Sequence, residues 1–223
     1  MDHLIYHPTR KIEVIGNTTV YHDEFGGNED PFLWNDKFLH TSCHITQLQN
    51  EVGQINFWVS GDHYPDFTEL YCDCVFVIAE KLTWKRRNAI DDDDNIIDNK
   101  QSFEHHYSWV NQLSPVDHHY FKKRNRYTLK ADPDKSFQPQ LKNHRLIDVA
   151  GFLAKQGMSI DRLRKGMTSR VYSRPFKLPD GLGQKLYAFL YAKAVIKLRG
   201  SQIAPLYPKG IDNNSDRHSN KCC

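Results

Sequence analysis

The chain has 223 residues, 39% of them hydrophobic and 12% aromatic, a composition that excludes a largely disordered protein. No apolar run approaches the ~20 residues of a membrane-spanning helix, so we expect no membrane partner. The net charge of +3 conceals a split, because residues 1–100 carry 8 Lys and Arg against 18 Asp and Glu, whereas residues 101–223 carry 22 against 9.

The N-terminal two-thirds of the sequence predicts short β-strands. Residues 11–22 form two β runs joined by a Gly-Asn pair, which suits a type II′ hairpin turn. Residues 54–60 predict a strand, and residues 71–79 predict another that is buried on both faces, because its second half is continuously apolar. Residues 125–131 are a further strand candidate, and residues 132–141, which contain two prolines, are predicted to be a connection.

The last third of the sequence predicts helices. Apolar residues recur at helical spacing over 144–156, and Gly157 fits a C-terminal cap. A short second helix follows over 159–165, with Ser159 as its N-cap. This pair resembles a helix-turn-helix, in which the second helix enters the major groove of DNA. Residues 181–200 show the clearest apolar stripe and predict the longest helix.

These elements predict an α+β fold, with a mixed sheet from the N-terminal two-thirds packed with C-terminal helices. We expect one domain over residues 1–207, acidic over 1–100 and basic over 101–207, followed by a disordered tail over 208–223. Five cysteines, two of them adjacent, argue against a secreted disulfide framework. Because the N-terminus shows no signal-peptide pattern, we expect a cytoplasmic protein, and the sequence leaves the oligomeric state open.

The charge split points to a partner rich in phosphate. Arginine binds phosphate oxygens with its forked guanidinium, and interleaved aromatic rings can stack on bases. The candidate phosphate-binding residues are Lys122, Lys123, Arg124, Arg126, Arg162, Arg164, Lys165, Arg170 and Arg174. We therefore expect a nucleic-acid- or nucleotide-associated protein, with a role in nucleic-acid modification or processing. The alternatives are that the acidic and basic halves neutralise each other by packing, or that they self-associate in a protein-interaction module.

The alternative from another functional class is an enzyme that acts on a phosphoester or a nucleotide base. The tetrads HITQ at His44 and HYSW at His106 resemble the His-x-Thr/Ser pairs of the two-histidine phosphoesterases. The resemblance implies that His44 and His106 are the acid and base acting on a phosphodiester, while Thr46 and Ser108 hold its oxygens. The unperturbed pKa of histidine lies near neutrality, which suits this chemistry.

A polar loop after the strand predicted over 54–60 offers further catalytic groups. In this hypothesis Asp62 orients His63, or binds a metal ion together with Asp66. The enzyme hypothesis therefore draws its catalytic groups from His44, Asp62, His63 and His106.

Histidines and cysteines also offer a candidate zinc site, although the sequence leaves any cofactor or metal unknown. Zinc prefers four nitrogen or sulfur ligands in tetrahedral geometry. The candidate ligands are His40, Cys43, His44, Cys72 and Cys74. In a regular strand Cys72 and Cys74 lie on one face, and buried cysteines that pack as small hydrophobic residues are the simpler interpretation.

Overall fold

The computed structural model gives the architecture of the chain over residues 1–7, 10–22, 33–34, 36–41, 50–83, 127–168 and 175–207. These described residues form eleven strands and four α-helices. The strands are β1 His3–Tyr6, β2 Lys11–Ile15, β3 Thr18–His22, β4 Leu39–Thr41, β5 Ile55–Gly61, β6 Leu70–Thr83, β7 Tyr127–Ala131, β8 Gln138–Gln140, β9 Ile147–Asp148, β10 Phe176–Lys177 and β11 Ile196–Leu198. The helices are α1 Ala150–Lys155, α2 Ile160–Thr168, α3 Leu182–Lys193 and α4 Gly200–Ile203, and a 3-10 helix follows at Ala204–Leu206.

Seven of these strands form one mixed sheet. Its order is β10-β1-β5-β6-β7-β4, and β9 also pairs with β6. Strand β1 runs parallel to β5, whereas the other pairs are antiparallel. The hairpin β2–β3 and the pair β8–β11 are two smaller sheets. Because the helices follow in the C-terminal part of the chain, the predicted α+β fold is confirmed.

The central strands β5 and β6 are buried on both faces, and a separate apolar core lies against each face. The first core packs Leu4, Phe57 and Val75 of the sheet against α1, α2 and α3, which we call the helical layer. The helical layer contributes Leu153, Leu163, Met167, Leu182, Leu186 and Leu190. The second core packs Trp58 and Phe76 against the hairpin β2–β3 and helix α4.

The strands predicted over 11–22, 54–60 and 71–79 are confirmed, and the strand predicted over 125–131 is confirmed from Tyr127 onward, where the described residues begin. Gly16 has a φ of 60°, the positive value that glycine readily supplies at the first position of a type II′ turn. The sequence analysis did not predict β1 or β4, because strands of four and three residues are too short to show a periodic pattern.

The prediction of a plain connection over 132–141 is wrong. Strand β8 lies within these residues and pairs with β11, so that Pro139 lies opposite Lys197. The side chain of Gln138 is fully buried, and its Nε2 donates to the carbonyl oxygens of Tyr21 and Asp73 at 2.7 and 3.0 Å. Buried glutamines therefore join the hairpin β2–β3 to β6, which a search for apolar periodicity does not detect.

Two helix predictions have the wrong bounds. The helix expected over 144–156 begins only at Ala150, because β9 pairs with β6 and Asp148 accepts the backbone N–H of Ala150 at 2.9 Å. The helix expected over 181–200 ends at Lys193, since the apolar residues that follow belong to β11. Pairing with neighbouring strands overrides the helical spacing at both places.

The second helix of the predicted helix-turn-helix extends beyond its expected end, through Gly166 to Thr168. The caps are as predicted, because Gly157 has a φ of 82° and Ser159 Oγ accepts the backbone N–H of Arg162 at 3.3 Å. Helices α1 and α2 both bury leucines in the first core. They are therefore part of the layer that covers the sheet, rather than a free-standing helix-turn-helix.

In the part of the chain that the structure describes, no helix has both the length and the apolar character needed to cross a membrane. The disordered tail predicted over 208–223 lies outside the described residues.

We predict that Gly61→Ala destabilises the protein by roughly 1–3 kcal/mol through overpacking. A Cβ atom at Gly61 would overlap the Cβ of Phe67 and lie 3.1 Å from the hydroxyl of Tyr6. Gly151→Ala is the matched control, because nothing lies within 4 Å of a Cβ at that helical position. The free energy of unfolding in urea measures both variants. Equal stability of the two would contradict the close packing of the loop on β5.

Candidate functional site

Polar side chains gather at one edge of the sheet, where the parallel strands β1 and β5 end and β6 begins. His7 follows β1 directly, Ser60 is near the end of β5, and Asp73 is near the start of β6. All three side chains are buried, although each is polar or charged. Ligands often bind beyond the carboxyl ends of parallel strands, so this edge is the first place to look for a site.

A β-bulge sets the direction of the Asp73 side chain. Trp58 pairs with Cys74 and Val59 with Cys72, so Asp73 is the extra residue between the two pairs. Cys72 belongs to the first core and Cys74 to the second, as expected when a bulge shifts the alternation of the strand. Bulges of this kind often reorient a side chain next to a functional site.

Asp73 is the acceptor at the centre of a buried hydrogen-bond network. Its Oδ2 contacts Nε2 of His7, and its Oδ1 accepts the hydroxyl of Ser60 at 3.0 Å. Arg10 lies 3.4 Å from the same Oδ1 and donates from Nη1 to Ser60 Oγ at 2.7 Å. A buried carboxylate is tolerated when it is paired and hydrogen-bonded in this way.

The guanidinium of Arg10 lies between two tyrosine rings. Its Cζ is 5.3 Å from the ring centroid of Tyr21 and 5.0 Å from that of Tyr71. The side chain keeps 21% of its surface exposed, so the network reaches solvent through Arg10. We call the set His7, Arg10, Ser60, Asp73, Tyr21 and Tyr71 the polar centre.

Both tyrosines of the polar centre keep their protons at neutral pH. Burial raises the pKa of Tyr21, while the charges of Arg10 and Arg145 partly oppose the rise. The hydrogen bond from Tyr71 to the carboxylate of Glu69, together with burial, raises the pKa of Tyr71, and Arg145 again opposes it. Both hydroxyls therefore stay protonated, and that of Tyr71 donates to Glu69.

The loop after β5 is organised by Asp62, one of the predicted catalytic residues. Oδ1 of Asp62 accepts the backbone N–H groups of Thr68 and Glu69 at 2.6 and 2.9 Å, and Oδ2 accepts the hydroxyl of Thr68 at 2.8 Å. Burial tends to raise the pKa of Asp62, but these hydrogen bonds outweigh it and hold the pKa well below its ordinary value. Asp62 acts first as a structural acceptor that closes the loop.

Asp62 and His63 are in contact, as the sequence analysis proposed. Nδ1 of His63 lies 3.1 Å from Oδ2 of Asp62, and the imidazole is 81% exposed. An oriented imidazole facing solvent can exchange protons with a bound molecule. Since Asp62 is already the acceptor of several loop donors, the pair by itself does not define an active site.

Arg164, one of the predicted phosphate-binding residues, fastens helix α2 to the same loop. Its Nε donates to the carbonyl oxygen of Phe67 at 2.6 Å, and its Nη2 to that of Asp66 at 3.3 Å. Nη1 pairs with Asp161 at 3.1 Å. The guanidinium is thus engaged within the protein, whereas Arg162 and Lys165 of the same helix are exposed.

The helical layer has a basic outer surface. Its three helices contain six Lys and Arg residues and one acid, Asp161. The exposed cations are Lys155, Arg162, Lys165, Lys185 and Lys193. Because the apolar sides of these helices fill the first core, their charged residues are directed outward.

Other predicted site residues lie outside the described residues. They include both histidines of the phosphoesterase tetrads and two groups of cations. These are His44, His106, Lys122, Lys123, Arg124, Arg126, Arg170 and Arg174. The acid–base hypothesis for the two histidines therefore stays a prediction.

The structure does not support Cys72 and Cys74 as a pair of zinc ligands. Cys72 and Cys74 are buried in different cores, because the bulge at Asp73 directs them to opposite faces. Their expected placement on one face is wrong. Cys43 and His44 lie outside the described residues, and among the described ones no group of three or more His, Cys, Asp or Glu residues is arranged to bind a metal ion.

Most of the polar centre was not predictable from the sequence. Its members His7, Arg10, Ser60 and Asp73 are spread over more than sixty positions of sequence and form no motif. The one local signal was a charged residue between two cysteines inside an otherwise apolar strand. An acid in such a strand indicates either a bulge or a buried partner, and here both occur.

Comparisons with known proteins identify no relative: no family model matches the chain, and no curated protein or solved structure is similar enough to count as a match.

We predict that Asp62→Asn lowers the free energy of unfolding by roughly 1–3 kcal/mol near neutral pH, because charged acceptors make the stronger hydrogen bonds. The folded pKa of Asp62 lies below the unfolded value of about 3.9, so its stabilisation is present above that pH and is lost as the pH falls through the folded pKa. The stability difference from the unaltered protein should shrink on acidification. Asp66→Asn is the control, and an equal, pH-independent loss in both variants would contradict the role of Asp62.

Proposed function

We propose that the protein binds the phosphate backbone of a nucleic acid through the basic outer surface of the helical layer. The observation that carries this proposal is the outward direction of the cations on α1, α2 and α3, with one acid among them. Clustered exposed Lys and Arg on one layer are the electrostatic footprint of a polyanion partner.

The charge split of the sequence is not cancelled by pairing across the described structure. Among the ion pairs that described residues make with one another, Lys130–Glu80, at 3.7 Å, is the one that joins the acidic and basic halves. The remaining pairs of the basic half, Lys135–Asp132, Arg164–Asp161 and Arg199–Asp134, stay within that half. Among the described residues, ion pairing between the two halves is therefore limited to Lys130–Glu80, which is compatible with an external anionic partner.

The set of residues that we expect to contact phosphates is smaller than the set predicted from the sequence. Arg164 is left out of the proposed set because its guanidinium donates to carbonyl oxygens of the loop after β5 and pairs with Asp161. Arg162 and Lys165 lie three positions apart on the exposed face of α2, so they project to the same side of the helix. Exposed cations of this kind bind phosphates without base specificity and with strong salt dependence.

We predict that a short single-stranded oligonucleotide of mixed sequence binds the protein, and that the affinity falls steeply between about 50 mM and about 200 mM salt. In the double variant Arg162→Gln, Lys165→Gln, the slope of log K against log salt concentration should become shallower by about 1.4, since each phosphate contact on a single strand contributes about 0.7. Fluorescence anisotropy over a salt series measures this slope.

A matched pair of single variants locates the surface. Lys165→Gln and Lys142→Gln each remove one exposed lysine, the first on the helical layer and the second in the turn between β8 and β9. Lys165→Gln should weaken binding, whereas Lys142→Gln should leave it unchanged. Affinity that does not depend on salt, or an equal effect of the two variants, would refute the proposal.

A further inference from the structure

The polar centre has features of a binding site that the helical layer does not explain. It lies beside the hairpin β2–β3, which packs in the second core, whereas the helical layer packs in the first. We propose that the polar centre, with Arg145, binds a phosphate monoester group, carried either by a small molecule or by the end of a nucleic acid. This site is additional to the proposed backbone-binding surface and does not depend on it.

Arg10 is the fixed donor of this site. Asp73 and Ser60 hold its Nη1, and the rings of Tyr21 and Tyr71 lie against its guanidinium. Within the described residues, the acceptors of Arg10 all lie at Nη1, which leaves the donors at Nε and Nη2 for a ligand. A guanidinium held in one orientation loses little entropy when it binds an oxyanion bidentately.

Arg145 supplies a second positive charge at the same place. Its side chain is exposed, and its charge acts on the hydroxyls of both Tyr21 and Tyr71. Both guanidinium groups therefore act on Tyr21 and Tyr71, Arg10 through contact with the two rings and Arg145 through its charge. The two arginines and the hydroxyl of Tyr21 offer N–H and O–H donors, which is the chemistry of an oxyanion site, whereas the hydroxyl of Tyr71 donates to Glu69.

Among the described residues, two carboxylates bond directly to members of the polar centre, and they play different parts. Asp73 shares its two oxygens among His7, Ser60 and Arg10, and it is buried behind the arginine. Glu69 is exposed, and its carboxylate accepts the hydroxyl of Tyr71. The carboxylate of Glu69 therefore takes the place at Tyr71 where an oxygen of the phosphate would bind. A phosphate oxygen would have to compete with Glu69 for the hydroxyl of Tyr71.

The charge of the ligand follows from this arrangement. A phosphate monoester carries about −1.5 to −2 charges near pH 7 and three free oxygens, so it can use both guanidinium groups at once. A phosphodiester in a chain carries one charge and two free oxygens. The polar centre therefore favours a terminal phosphate over the internal phosphates of a nucleic-acid backbone.

Paired probes that differ only in the phosphate test the proposal. Adenosine monophosphate is compared with adenosine, and an oligonucleotide with a terminal phosphate is compared with the same oligonucleotide without it, by isothermal titration calorimetry at moderate salt. Tighter binding of adenosine monophosphate by about tenfold supports a small-molecule source. A preference only between the two oligonucleotides supports a nucleic-acid end. The absence of any phosphate-dependent difference overturns the proposal.

Variants of the polar centre then test whether these residues cause the phosphate-dependent binding. Arg145→Gln should weaken the phosphate-dependent binding by about tenfold, while Lys142→Gln, an exposed cation in the preceding turn, should leave it unchanged. Glu69→Gln should strengthen the binding several-fold, because it removes the competing charge. This gain is a result that misfolding cannot produce.

Failure of the phosphate site at the polar centre can be distinguished from failure of the proposed backbone-binding surface. The double variant Arg162→Gln, Lys165→Gln should not alter the phosphate-dependent difference, even though it weakens oligonucleotide binding overall. If that double variant abolishes the difference, or if Arg145→Gln and Glu69→Gln both leave it unchanged, the assignment to the polar centre is wrong.

Discussion

Coverage of both faces of the two central strands is the constraint on which the rest of the structure depends. Strands β5 and β6 are apolar on either side, so neither face can be left in water. The helical layer covers one face, and the hairpin β2–β3 with α4 covers the other. Once these layers are in place, the polar faces of the helices have no position except the outer surface. The basic surface is thus a consequence of how the core is buried.

The polar centre is the exception to this apolar arrangement, and its energetics explain why it is so fully connected. A buried carboxylate without partners would cost several kcal/mol, by an order-of-magnitude reckoning. Asp73 avoids that cost because His7, Ser60 and Arg10 all point at its two oxygens. Apolar residues in these positions would fill the same space without the cost of burying a charge. A connected polar network at the end of two parallel strands therefore fixes the positions of these side chains in the core.

The sequence specified the local elements better than the long-range ones. The apolar run of β6 and the Gly-Asn turn of the first hairpin were predictable, because each depends on a few neighbouring residues. The helices over 144–156 and 181–200 were too long, since pairing of Ile147 with β6 and of Ile196 with β8 decided their ends. Asp62 and His63 are adjacent, so their contact could be proposed in advance. Arg164 was assigned to phosphates because its acceptors, backbone carbonyls of a distant loop, leave no trace in the sequence.

The position of β1 has a consequence for the order in which the protein is assembled. His3 pairs with Asn56 on one side and with Lys177 on the other, so β1 sits between a strand made soon after it and one made much later. While the chain emerges from the ribosome, the outer edge of β1 stays without its partner until residue 177 has been synthesised. Contacts across such a sequence distance form slowly, and an open strand edge can pair with other chains in the meantime. The interval before β10 arrives therefore leaves this edge of β1 open to pairing with other chains.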